Sequence, residues 1–169
     1  MLAKDRNPTK PVFRALTDTE TLVGQVASTV YNESRIPKRK RTIGERMLNN
    51  SISSYEKIRA ANKTPLFKDK NTTNKRIELA ESAEMDLMNL CSEIKLLPTV
   101  INTIEGTESW YTGMQALAIS CKNETNKWVG SDMARAEKHY AKLEEKSSEP
   151  ILKECIRFHP IPYRPKGVA

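Results

Sequence analysis

Cationic side chains are concentrated in one short segment of the sequence. Five of the seven residues from Arg35 to Arg41 are Lys or Arg. Binding of a phosphate backbone requires several cations in close reach, because each neutralised phosphate releases condensed counterions. The segment precedes an expected helix N-terminus, whose dipole adds partial positive charge. The predicted nucleic-acid-binding residues are the cations of this segment and those of the following helix: Arg35, Lys38, Arg39, Lys40, Arg41, Arg46, Lys57, Arg59 and Lys63.

The same run of cations is also compatible with two other roles. A solvated loop that only improves solubility would have this composition, and so would a nuclear localisation signal. The pattern by itself leaves all three interpretations open.

Signals for catalysis are absent from the sequence. Its two histidines, His139 and His159, do not lie in an H-E-x-x-H frame, and the chain has neither a glycine-rich phosphate loop nor a G-x-S-x-G elbow. Three glutamates on one expected helix face, at 78, 81 and 84, have no histidine near them and are interpreted as a solvated acidic face. We therefore predict a protein that is not an enzyme and uses no cofactor or metal.

The cysteines and tryptophans are interpreted as packing residues. Three cysteines spaced 30 and 34 residues apart argue against a disulfide framework or a zinc knuckle. Cys91 and Cys121 fall on apolar stripes, where a cysteine acts as a small core residue. Trp110 and Trp128 are expected to anchor a core or an interface rather than to stack on bases.

Composition favours a helical, basic protein. The chain has 169 residues, six glycines and a net charge of +7. Residues 1–41 hold nine Lys and Arg against four Asp and Glu, whereas residues 71–149 hold nine against thirteen. This asymmetry favours a polyanion-binding first half on a nearly neutral scaffold. Without a long apolar run or a signal-peptide core, we expect an intracellular protein that is not embedded in a membrane.

Apolar residues recur at helical spacing in four segments. Capping boxes at 17–20 and 42–45 predict helices from Thr17 to about Ser34 and over 43–62. A third helix is predicted over 73–104, with Pro98 kinking it or ending its first part near Leu97. The expected core positions of the second and third helices include Met47, Leu48, Ile52, Tyr55, Ile58, Ile77, Leu87, Met88, Cys91 and Ile94.

The fourth helix is predicted to follow Gly106 and to stop at Gly130, with Ser131 capping a further segment to about Lys146. Prolines at 150, 160, 162 and 165 predict an extended C-terminal tail. The expected fold is therefore all-α, an antiparallel four-helix bundle with extended N- and C-terminal tails. Its predicted parts are a basic tail over 1–16, the bundle over 17–131, and a C-terminal extension over 132–169 that is partly helical and then proline-rich.

The order of these features resembles a specific family. Ile36-Pro37 and the basic segment are followed by the run Thr42-Ile43-Gly44-Glu45-Arg46, and the fourth helix begins Ser109-Trp110-Tyr111 and closes on Lys127-Trp128-Val129. Over residues 20–131 this is similar to the four-helix-bundle family of the accessory variability determinant of diversity-generating retroelements. Proteins encoded in intervening sequences of bacterial large-subunit ribosomal RNA belong to the same family.

The resemblance implies a basic homopentamer without catalytic activity. Such a protein binds a partner reverse transcriptase and the template RNA, and thereby supports mutagenic complementary-DNA synthesis. It also implies a cytoplasmic protein encoded by a bacterium, an archaeon or a phage. The alternatives are an intervening-sequence-type bundle protein and a general helical adaptor that does not bind nucleic acid.

Overall fold

Four helices pack into an all-α bundle, which confirms the predicted fold class. The computed structural model describes residues 11–102, 104 and 106–157, and describes side chains over 14–102, 104 and 106–147. The helices are α1 (Pro11–Val30), α2 (Arg41–Lys63), α3 (Lys70–Ile101) and α4 (Ser109–Arg157), and a 3-10 turn at Lys38–Lys40 precedes α2.

Side-chain contacts show that α2, α3 and α4 are antiparallel. In each pair of neighbouring helices, residues with higher numbers on one helix contact residues with lower numbers on the other. Between α2 and α3, Asn50 of α2 bonds to Glu93 of α3 at 2.9 Å, and the Ala61 carbonyl of α2 accepts from Arg76 of α3 at 3.1 Å. Between α3 and α4, Thr73 of α3 bonds with Tyr140 of α4 at 2.9 Å, and Glu84 of α3 accepts from Asn126 of α4 at 2.8 Å.

The core lies along the apolar stripes of all four helices. Burying each large aliphatic side chain contributes about 1.5–3 kcal/mol relative to leaving it in water. The largest buried side chains are Leu22, Val26 and Val30 of α1, Met47 and Ile58 of α2, Leu87, Leu90, Ile94 and Leu97 of α3, and Met114 and Trp128 of α4. Two predicted core positions, Ile52 and Met88, are instead exposed.

Helix α1 begins at Pro11, six residues before the predicted cap at Thr17. Proline suits a first helical turn because its missing N–H needs no partner there. Ala15 and Thr19 are fully buried, so packing extends the helix through the local capping signal. The predicted tail over 1–16 is therefore helical from Pro11 onward, and residues 1–10 lie outside the described part. At its other end α1 stops at Val30, before the predicted Ser34.

Helix α2 begins at Arg41, and Thr42 is not its N-cap. The preceding residue, Lys40, occupies that position without a side-chain cap bond. The 3-10 turn leads directly into the helix, since the amides of Lys40 and Arg41 bond to the carbonyls of Pro37 and Lys38. A side-chain cap does occur at α3, where Asp69 accepts from the Thr72 amide at 2.7 Å.

Helix α3 continues through Pro98 to Ile101, so of the two predicted effects of Pro98 the end near Leu97 is wrong. A proline inside a helix lacks the N–H that would bond to the carbonyl four residues earlier, at a cost of about 3 kcal/mol. Leu97 and Ile101 on either side of it are buried. The helix ends where Asn102 adopts the left-handed conformation (φ 57°) and donates its amide to the Pro98 carbonyl at 3.0 Å.

Helix α4 continues through Gly130 to Arg157, which overturns two predictions. Trp128, Val129, Asp132 and Ala136 are buried on both sides of Gly130. This packing outweighs the roughly 1 kcal/mol that a helical glycine costs relative to alanine. The predicted boundary at 131 thus lies inside α4, and residues 150–157 are helical rather than extended. The rest of the predicted tail, 158–169, lies outside the described part.

Candidate nucleic-acid interface

Four consecutive cations form a basic turn between α1 and α2, consisting of Lys38, Arg39, Lys40 and Arg41. The first three belong to the 3-10 turn and are exposed to solvent. Arg41 is the first residue of α2 and is half-buried. The basic turn therefore presents several positive charges at one helix terminus.

Packing below the basic turn fixes its position. Ile36 is 1% exposed, and its amide donates to the Asn32 carbonyl at 2.9 Å. Gly44 permits α2 to approach α1 closely, since a Cβ at Gly44 would lie only 3.0 Å from Cγ1 of Val30 and 3.4 Å from Cδ1 of Ile36. The turn is consequently held on a buried apolar contact between the two helices.

The N-terminus of α2 has the electrostatics of an anion site. Its first turn contains no acidic residue, and its N-cap residue, Lys40, makes no side-chain cap bond. The helix dipole then adds to the charge of the basic turn. The Arg41 Nε is buried and has no hydrogen-bond partner. Lys38 pairs with Glu33 at 3.0 Å, but both are mostly exposed and such pairs contribute at most about 1 kcal/mol.

Two other predicted cations lie near the basic turn but have partners. The Arg35 guanidinium stacks 5.1 Å from the centre of the Trp110 ring. Arg46 pairs with Glu93 at 3.2 Å, although its own side chain remains 70% exposed. The structure thus brings Arg35 and Arg46 to the same end of the bundle as the basic turn and assigns each a structural contact.

Lys57 faces α3 rather than solvent. Its ammonium group bonds to Asp86 at 2.6 Å, and the same carboxylate accepts from Ser53 at 2.7 Å. Together with the pairs that Glu93 makes with Asn50 and Arg46, these contacts form a polar seam between α2 and α3. Lys57 is therefore part of helix packing.

Arg59 and Lys63 are exposed but far from the basic turn. At a rise of 1.5 Å per residue, they lie about 27 and 33 Å along α2 from Arg41. The structure brings together the predicted cations from 35 to 46 and separates them from Arg59 and Lys63.

Sequence reasoning missed a buried ion pair between α3 and α4. The Arg76 Nε lies 2.7 Å from the Asp132 carboxylate, and the guanidinium packs 5.2 Å from the centre of the Trp128 ring. Arg76 lies beside the predicted acidic face at 78, 81 and 84, and no role was predicted for it. The available signal was its helical spacing from Thr73, Ala80 and the rest of the buried α3 stripe.

The two cysteines with described side chains are in or beside the core. Cys121 is fully buried, which raises the pKa of its thiol to about 12. Cys91 is half-buried, and burial also raises the pKa of its thiol. Reactive cysteines have a lowered pKa, so these thiols have the character of packing residues.

Neither a metal cluster nor a membrane span is found in the described part of the chain. No three His, Cys, Asp or Glu side chains within it lie close enough together to hold a metal ion. Its helices include none with both the length and the apolar character needed to cross a bilayer.

No protein-family model matches the chain, and no curated protein or solved structure is significantly similar to it.

Proposed function

We propose that this protein is a non-catalytic subunit that binds the phosphate backbone of nucleic acid through its basic turn. The observation that carries the proposal is the placement of Lys38, Arg39, Lys40 and Arg41 at the uncapped N-terminus of α2, whose first turn has no acidic residue. Several cations and a helix dipole at one point are suited to phosphate oxygens. Cations on a turn position a backbone rather than read bases, so we expect binding with little sequence preference.

The finer proposal follows the family resemblance. In it, the chain is an accessory subunit that binds a retroelement reverse transcriptase and its template RNA and supports mutagenic complementary-DNA synthesis. The supporting features are the four-helix fold, the Ile36-Pro37-basic run before Thr42, and the position of that run at a helix junction. A reverse-transcriptase gene beside this one, and co-purification of its product with this protein, would support the role. A gene located inside a ribosomal RNA locus would instead favour the intervening-sequence type.

A titration with RNA tests the coarser proposal. We expect the variant with glutamine at Lys38, Arg39, Lys40 and Arg41 to lose most of its affinity for RNA of any sequence. The matched control replaces four exposed cations at the opposite end of the bundle, Arg59, Lys63, Lys68 and Lys70, and so removes the same charge. Equal affinity of the two variants would reject the basic turn as the binding site.

A further inference from the structure

Trp110 lines a surface groove between α1 and α4 that contains none of the predicted nucleic-acid-binding residues except Arg35. This Trp110 groove has a volume of about 420 Å³, within the usual range of ligand sites. Hydroxyl and amide side chains lie along it, at Thr21, Gln25, Ser28 and Ser109. Gly24 and Gly113 form its open walls, since a Cβ built at either glycine would meet no atom within 4 Å.

The two tryptophans differ in their surroundings. Trp128 is 2% exposed and belongs to the core. Trp110 is half-buried, and besides the Trp110 groove it lines a neighbouring polar cleft of about 340 Å³ that also contains Asn32, Ser34 and Glu108. Trp110 therefore offers aromatic surface next to solvent.

The Trp110 groove is close to the basic turn. Arg35 lines it and stacks over the Trp110 ring, and only two residues separate Arg35 from Lys38. Three residues span at most about 10 Å, so a strand whose phosphates contact the basic turn reaches the groove with its next nucleotides. Aromatic rings beside a basic track are the usual platform for unpaired bases, and arginine adds cation–π attraction.

We infer that the Trp110 groove binds an unpaired base of a single-stranded nucleic acid whose backbone lies on the basic turn. The inference rests on the proposed function and specifies that the bound nucleic acid is single-stranded. The base stacks on the exposed part of the Trp110 indole beside the Arg35 guanidinium, which already lies over the ring, and bonds at its edges to the hydroxyl and amide side chains of the groove. In a duplex both faces of the base are already stacked, so duplex contacts the basic turn alone.

Three probes of equal length distinguish binding to the bases from binding to the backbone. They are oligouridylate, its duplex with oligoadenylate, and an abasic ribose-phosphate oligomer. We expect the wild type to bind oligouridylate most tightly. Trp110→Ala should lower that affinity about five- to 150-fold and leave duplex affinity unchanged. The tryptophan fluorescence of the wild type should be quenched by oligouridylate, while that of Trp110→Phe, which retains buried Trp128, should stay constant.

A second pair of variants keeps Trp110 in place. Gly113→Gln fills the groove from an exposed position of α4, and Gly130→Gln makes the same change at another exposed glycine of α4. Only Gly113→Gln should weaken oligouridylate binding. Equal effects of these two variants, or equal affinity of the wild type for the abasic oligomer and oligouridylate, would overturn the inference. If the inference is overturned in this way but the basic-turn variant still loses affinity for RNA, the proposed function stands. If none of the three probes binds the wild type, both the inference and the proposed function are rejected. A groove that takes a peptide instead would leave the fluorescence constant on addition of oligouridylate, and this also overturns the inference.

Discussion

The guanidinium of Arg76 and the carboxylate of Asp132 form an ion pair in the interior of the bundle, with side chains 10% and 3% exposed. The Arg76 Nη1 also donates to the carbonyls of Ala61 and Thr64 at the end of α2, at 3.1 and 2.8 Å. One side chain therefore joins α2, α3 and α4. Buried charges are expensive to desolvate, so the pair depends on each of these partners.

Removing one member of this pair should destabilise the fold strongly. Arg76→Met leaves the buried Asp132 carboxylate with only the mostly exposed Arg135 at 3.5 Å, and Asp132→Asn leaves Arg76 without an anionic partner. Each should therefore lower the free energy of unfolding by about 3–5 kcal/mol. The double variant Arg76→Met/Asp132→Leu should recover part of that loss. Urea unfolding measures all three, with Glu33→Gln at the exposed Lys38 pair as a control that changes by less than about 1 kcal/mol. A single variant as stable as that control would contradict the prediction.

Gly44 should be intolerant of even one additional methyl group. A Cβ there would lie 3.0 Å from Val30, so Gly44→Ala should destabilise the protein by about 1–3 kcal/mol despite alanine's better helix propensity. Gly24→Ala is the matched control in α1, where a Cβ meets no atom within 4 Å and a gain of roughly 1 kcal/mol is expected. Thermal melts of both variants should therefore shift in opposite directions. A common direction would show that the close approach of α1 and α2 relaxes freely.

Apolar spacing could predict the helices because burial follows it directly. Leu22, Val26 and Val30 are spaced four residues apart and are all buried. Helix ends were predicted poorly, since capping boxes and glycines are local signals while packing acts across the bundle. Thr17 and Gly130 both lie inside helices for this reason.

The basic turn could be predicted from its composition, but the partners of its neighbours could not. From the sequence alone Lys57 is predicted to be a surface cation, because its partner Asp86 is 29 residues away on another helix. Trp110 and Trp128 both fall on one apolar stripe, and only tertiary structure shows that Trp110 borders a groove. Pairing across helices is the information that one sequence lacks.

Glu124 should make stability depend on pH. Burial, followed by a hydrogen bond and repulsion from Asp18, raises the pKa of its carboxyl, and its Oε2 is buried without a partner. The folded state therefore binds a proton more tightly than the unfolded state. The resulting stability is present below the ordinary glutamate pKa and is lost as pH rises through the raised value. Glu124→Gln should thus gain stability relative to the wild type as pH rises above the ordinary glutamate pKa.

Asp69 supplies a control of opposite sign for this pH dependence. Hydrogen bonds from the Thr72 side chain and amide lower the pKa of its carboxyl. Its stabilising effect is present above the ordinary aspartate pKa and is lost as pH falls through the lowered value. Asp69→Asn should therefore lose stability relative to the wild type as pH rises. Chemical denaturation at several pH values measures both variants, and parallel trends would contradict the assignment of Glu124.

Self-association is expected from the exposed apolar side chains of α3. Met85, Met88 and Leu96 are 56%, 47% and 56% exposed, and the family resemblance implies a ring of five. Light scattering at micromolar concentration should give several times the mass of one chain. Met85→Lys/Leu96→Lys should reduce that mass, whereas Asn62→Lys at an exposed position of α2 should not. A wild-type monomer would contradict the expected assembly.

The salt dependence of RNA binding should report how many phosphates the basic turn contacts. Neutralising about three to five phosphates per protomer gives a log–log slope of affinity against salt of roughly −2 to −5, and a ring that presents the turn repeatedly gives a steeper slope. Glutamine at Lys38, Arg39, Lys40 and Arg41 should flatten the slope. The control with glutamine at Arg59, Lys63, Lys68 and Lys70 should keep it, because those cations lie at the far end of the bundle.

Folding should survive the loss of the basic turn's charge, since three of its four side chains are exposed and none belongs to the core. A thermal melt beside each titration verifies this. Because the two fourfold variants have the same net charge, a difference in slope between them reports position rather than overall electrostatics. A basic-turn variant that folds and retains the wild-type slope would show that the phosphates are bound elsewhere on the protein.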